Sequence, residues 1–229
     1  MPERIPPLTD TWILSNSVSV LMIAALLVAG RLLGEVGRRR LIAAVGAAML
    51  ARWVLIHPYL QWLGLWRVET SLPLHMSTLG CLFAGLSVFT GSRILFEMAL
   101  CWGVTGGLQA LLTPVLPHGN HGFLIVDYFF AHAMVIGVPL YLVFVEGRRP
   151  RTWAGARVWL ATQPIVLALF SLNVQLGSNY MYLNRPPPVK NPLIVGDWPW
   201  YVLAFEVLAF TQWTLLTGLI RWLVRRRAG

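Results

Sequence analysis

Seven stretches of about twenty apolar residues, separated by short polar turns, dominate this chain and leave few folds open to it. They are Thr11 to Gly30, Leu41 to Leu60, Pro73 to Thr90, Ile94 to Leu116, Phe123 to Val145, Arg157 to Leu176 and Trp200 to Ile220. Each is long enough to cross a bilayer as an α-helix, the element that satisfies its own backbone polar groups in lipid. Only 12% of the 229 residues are charged, too few to cover a soluble domain of this size. The expected fold is therefore an all-α polytopic membrane protein of seven transmembrane helices, forming one domain over residues 1–229.

The charges are distributed unevenly. Thirteen of the 18 Lys and Arg residues fall on one side of the seven segments, among them Arg38 to Arg40, Arg148, Arg149, Arg151 and Arg225 to Arg227. Four, including Arg185 and Lys190, fall on the other, and Arg52 lies inside the second segment. Basic residues mark cytoplasmic loops, so the expected topology has the N-terminus outside and the C-terminus in the cytoplasm. The net charge of +9 then points to anionic lipid rather than nucleic acid. No basic run precedes the first segment, so it is expected to remain as a helix rather than be cleaved as a signal peptide. No internal repeat or second domain is apparent.

Ionisable groups inside spans are costly and point to function. Counting about 1.5 Å per residue from the outer end of each segment puts Ser77 and Asp127 roughly 6 Å deep, with Gln109 a little deeper. Glu206, Cys81 and His132 follow at about 9 to 14 Å. His75 lies nearer the surface. Four segments thus place polar groups in one outer zone, the pattern of a cavity open to the outer leaflet. Each residue also has a plain structural reading: Ser77 bonded to a carbonyl one turn back, Cys81 as a small apolar residue, Asp127 at a helix N-terminus. Arg52, near the midplane, is expected to pair with Glu97, Glu206 or a substrate phosphate.

Ser or Cys with a His base is the constellation that remains once metal and phosphate-loop motifs are found missing. Ser77 or Cys81 would be the nucleophile and His132 the base. Ser77 and Cys81, four apart, share a helix face, and depth alone favours Cys81 as the partner of His132. Two histidines, His118 and His121 in HGNH, are too few for a zinc site, and no cofactor is implied. The outer loop from Gly177 to Pro199 carries Asn179, Tyr180, Tyr182 and Arg185, and reads either as an aromatic interface anchor or as a lip over the cavity.

The strings LPLHMS (72–77), LFEMALCWGVTGGLQALLTP (95–114), DYFFAHAMV (127–135), GSNYMYLNRPP (177–187) and WPWY (198–201) resemble the YwaF family of bacterial integral membrane proteins. That family is similar to a vertebrate transmembrane family that remodels phospholipids by acyl transfer through a Cys and a His. It is more distantly similar to the androgen-induced type of intramembrane lipid hydrolases, which use Thr and His. The resemblance implies a multi-pass protein of the bacterial plasma membrane. It places the nucleophile at Ser77, where many relatives carry Cys, and the base at His132.

The expectation is an acyltransferase or hydrolase acting on phospholipid. Gln109 or Asn179 would hold the oxyanion, Asp127 would orient the histidine, and His75, Tyr180 and Tyr182 would line the substrate site. Arg52 or Arg185 would hold a phosphate. The competing expectation is a lipid- or small-molecule-binding sensor or transporter. The sequence leaves the oligomeric state open, homo-oligomers included.

Overall fold

The computed structural model describes residues 3–119, 122–187 and 194–226. Helices α1 (Asp10–Leu32) and α2 (Glu35–Trp62) lead into a single turn of helix, α3 (Val68–Ser71), and then α4 (Met76–Thr90). A continuous helical run follows, made of α5 (Arg93–Met98), a π-helical stretch (Ala99–Gly103) and α6 (Val104–Leu112). Then come α7 (Phe123–Phe144), α8 (Ala154–Leu176), a 3-10 turn (Tyr180–Tyr182) and α9 (Trp200–Arg226).

Among the described residues six helical runs are long and apolar enough to cross a membrane: α1, α2, α5 through α6, α7, α8 and α9. The third expected span, α4, is apolar but only 15 residues long, about 22 Å. Its start moves from the expected Pro73 to Met76 because Leu72, preceding proline, and His75 both have extended backbone. The fourth span stops at Leu112 instead of Leu116 for the same reason, since Thr113 before Pro114 leaves the helical region. Val115–Leu116 instead forms β2, antiparallel to β1 (Glu3–Arg4), and Ile5 N–H donates to the Pro114 carbonyl at 3.2 Å. The N-terminal segment is thereby tied to the turn between α6 and α7.

Helix α7 is the centre of the bundle. Residues Ala131 to Pro139 are buried without interruption. Helix α1 packs on it from one side, and α4 with the α5–α6 run from the other. Helix α2 lies against α4, and α8 and α9 pair with each other. Gly103 permits a close crossing of backbones, because a Cβ there would stand 2.4 Å from the Val135 carbonyl oxygen. Large apolar side chains on α1, α8 and α9 point outward, among them Leu14, Leu167 and Leu215. That outward apolar surface is the complement of lipid rather than of water.

Candidate functional site

The site is built where the first turns of α4 and α7 meet. Chain direction reverses twice between them, so the two helices run the same way. The Cys81 thiol donates to the Ala131 carbonyl at 3.7 Å, which fixes their register. Ser77 lies one turn earlier, about 6 Å up, and so comes level with Asp127 and Tyr128. The His132 imidazole folds back by a turn onto Tyr128, with ring centroids 4.1 Å apart, as long side chains on helices do. Folding back by a turn draws the ring toward the level of Ser77, whereas counting residues from helix ends favours Cys81.

The Nδ1 atom of His132 lies 2.7 Å from the Tyr128 carbonyl oxygen. A carbonyl can only accept, so Nδ1 carries the proton and the lone pair is on Nε2. Tyr128 itself donates its hydroxyl to the Ala110 carbonyl at 3.0 Å, locking the ring against which His132 packs at a tilt. Ser77 is half-buried beside the Gly106 face of α6, and its hydroxyl bonds to none of the described residues. Cys81 is buried, with its thiol engaged as described.

Arg52 corrects one expectation. It pairs with neither Glu97 nor Glu206 but with Asp127, through two bonds of 2.6 Å from Nε and Nη2. Helix α2 extends six residues beyond the expected segment at its inner end, which moves Arg52 away from the midplane. Its long stem then spans the remaining distance to α7. Asp127 is thus held by Arg52, whereas the expectation had it orienting His132. Glu97 instead receives Arg151, and Glu206 accepts from Trp159 and Gln163 at 2.7 and 2.9 Å.

The second wall comes from the loop after α8. His75 stands between Tyr180 and Tyr182, with centroids at 5.4 and 5.3 Å, and its Nδ1 accepts from the Met181 N–H at 3.4 Å. Met181 and Tyr182 have φ of 54° and 57°, a left-handed backbone that non-glycine residues adopt only when held there. Asn173 does the holding. Its Oδ1 accepts from the Tyr180 N–H and the Ser178 hydroxyl, and its Nδ2 donates to the Tyr180 carbonyl, all within 2.9 Å. The Tyr180 hydroxyl donates to the Val68 carbonyl and accepts from the Leu72 N–H, fastening the loop to the segment that precedes α4. Burial pushes the phenols of Tyr180 and Tyr182 above their ordinary pKa, so both remain neutral donors.

Other expected residues fall outside this grouping. Asn179 spends its amide on the turn itself, accepting from the Asn184 and Arg185 N–H groups and donating to the Arg185 carbonyl. Arg185 is exposed on the loop. Gln109 donates to the Thr113 hydroxyl at 3.2 Å, one turn along its own helix. His118 is described, while His121, Lys190 and Arg227 lie outside the described residues. No cluster of three His, Cys, Asp or Glu able to hold a metal occurs among the described residues.

Sequence reasoning missed Tyr128 and Asn173. The first was legible as the residue one helical turn before His132. The second had no signal beyond its place in the last turn of α8.

The apolar helices and the polar groups held between them define a multi-pass membrane protein. The TMEM164 family, a family of transmembrane proteins, matches residues 7–217, and the chain belongs to it. No curated protein and no solved structure matches the chain.

Proposed function

We propose that this protein is an intramembrane enzyme acting on acyl esters of phospholipid, with Ser77 as nucleophile and His132 as base. In this reading α4 is a short seventh span, the arginine-rich end faces the cytoplasm, and the membrane is the bacterial plasma membrane. The observation that carries the chemistry is the Nδ1–H···O=C bond from His132 to Tyr128, which leaves Nε2 free to accept a proton.

The Ser77 oxygen attacks the ester carbonyl as Nε2 takes its proton. The tetrahedral intermediate then expels the lipid alcohol, which leaves with that proton. Water or a second lipid alcohol resolves the acyl-serine, giving hydrolysis or acyl transfer. Arg52 and Asp127 supply fixed charge beside the pair, and the His75, Tyr180 and Tyr182 wall lines the approach. Cys81 is less suited to attack, because it is buried and its thiol is committed to the Ala131 carbonyl.

A serine-directed alkyl fluorophosphonate tests the assignment. Labelling of the parent and of Cys81→Ala, lost in Ser77→Ala and His132→Ala, is the expected result. Equal labelling of Ser77→Ala and the parent would rule Ser77 out. One observation favours the binding or sensing alternative: Ser77 and His132 are not hydrogen-bonded to each other. Lipid that co-purifies and stays chemically intact on long incubation would support that class.

A further inference from the structure

A second candidate site lies at the opposite end of the bundle, where five arginines from three separate stretches line one recess of about 580 Å³. Arg93 begins α5, Arg148, Arg149 and Arg151 belong to the turn between α7 and α8, and Arg221 lies near the end of α9. Three of them are fixed by protein groups. Arg151 forks onto the buried carboxylate of Glu97, at 2.7 Å from Nη2, and adds its own backbone N–H at 2.7 Å. These bonds to Glu97 hold the Arg151 guanidinium above its ordinary pKa. Arg148 donates to the Ser87 carbonyl at 2.8 Å and pairs with Glu146 at 3.3 Å. Arg221 donates to the Pro150 carbonyl at 2.7 Å, binding α9 to the same turn.

Arg93 and Arg149, both exposed, form no ion pair with any described residue. Five guanidiniums face two carboxylates, Glu97 and Glu146, which leaves three positive charges gathered around one opening. Like charges on a free loop would spread apart, and the general basic bias of this face is also met by Arg38 to Arg40, which lie outside this recess. Several guanidiniums held around one opening, with charge to spare, match the recognition chemistry of phosphate. Exposed Phe89 and Trp153 stand within two residues of the lining, aromatics of the kind that settle at head-group level.

We propose that this recess binds the phosphate-bearing headgroup of an anionic phospholipid in the leaflet at that end of the bundle. It lies roughly 20 Å along the helices from Ser77 and His132, so it is independent of the acyl chemistry. The free phosphate ion offers the same chemistry without the acyl chains, and the experiment separates the two.

The full-length protein in detergent would be exposed to phosphatidylglycerol, phosphatidylcholine or inorganic phosphate and examined by native mass spectrometry. Bound phosphatidylglycerol that inorganic phosphate does not displace is the expected result. Its affinity should fall by about tenfold or more in Arg93→Gln/Arg149→Gln. It should hold in Arg39→Gln/Arg40→Gln, which has the same net charge. Both pairs are on exposed side chains, and an unchanged melting temperature would confirm that they fold. Equal losses in the two pairs would reduce the effect to general surface charge and overturn the site. Full displacement by inorganic phosphate would overturn the lipid as its occupant, and so would equal binding of phosphatidylcholine.

Discussion

Two buried carboxylates in this protein each receive a forked arginine, yet the pairs differ in what surrounds them. Arg52 and Asp127 join α2 to α7 within the apolar zone, with 20% and 7% of their side chains exposed. Glu97 is equally enclosed, at 1%, but Arg151 is 33% exposed and comes from the turn between α7 and α8. The first pair is therefore the more enclosed at its arginine, whereas Arg151, on a turn, can swing out and rehydrate. The first also shares its surroundings with His132 and Cys81, while the second pins a turn. The same local chemistry serves as a fixed charge in a site at one end and as a clasp at the other.

Breaking the first pair should give the largest effect. Asp127→Ala strands Arg52 in an apolar setting and should cost about 3–5 kcal/mol, read as a fall in melting temperature of the detergent-solubilised protein. The double change Arg52→Met/Asp127→Leu should recover most of that loss, because removing both charges also removes their desolvation penalty. If the double variant were as unstable as the single one, the pair would not be the source of the cost.

Glu97→Gln should cost less, about 1–3 kcal/mol, since glutamine still accepts from the Arg151 N–H and the guanidinium reaches water. Asn173→Ala should cost about 1–2 kcal/mol. Its clearest readout is faster proteolysis of the 177–187 loop once the left-handed turn is released. Arg39→Ala removes an exposed pair with Glu35 one turn away and should change stability by less than about 0.5 kcal/mol. A loss for Arg39→Ala as large as that for Glu97→Gln would erase the distinction between buried and surface pairs.

The sequence made the apolar runs legible because lipid demands a long, uniform pattern, and six of them return as helices of spanning length. It also marked Arg52 and His132 as anomalous, since a charge or imidazole in an apolar run is visible without a structure. The partners were not legible. Depth counted from segment ends points Arg52 to Glu97, Glu206 or a substrate phosphate, because it hides six extra residues of α2 and the reach of an arginine stem. Treating Pro73 as the start of a helix obscures the role of His75, because the helix begins only at Met76. Asn173 could not be recognised at all. Its function depends on a loop folding back over the end of α8, and nothing in the sequence around it encodes that return.

The central claim is that Ser77 and His132 together act on lipid esters. Its most direct test is mass spectrometry of lipids after incubation of the purified protein with mixed phospholipids, using the parent, Ser77→Ala, Cys81→Ala and His132→Ala. Released fatty acid or exchanged acyl chains in the parent and Cys81→Ala, absent from Ser77→Ala and His132→Ala, is the predicted result. Turnover in Ser77→Ala equal to the parent, or lipids unchanged by any of the four proteins, would contradict it.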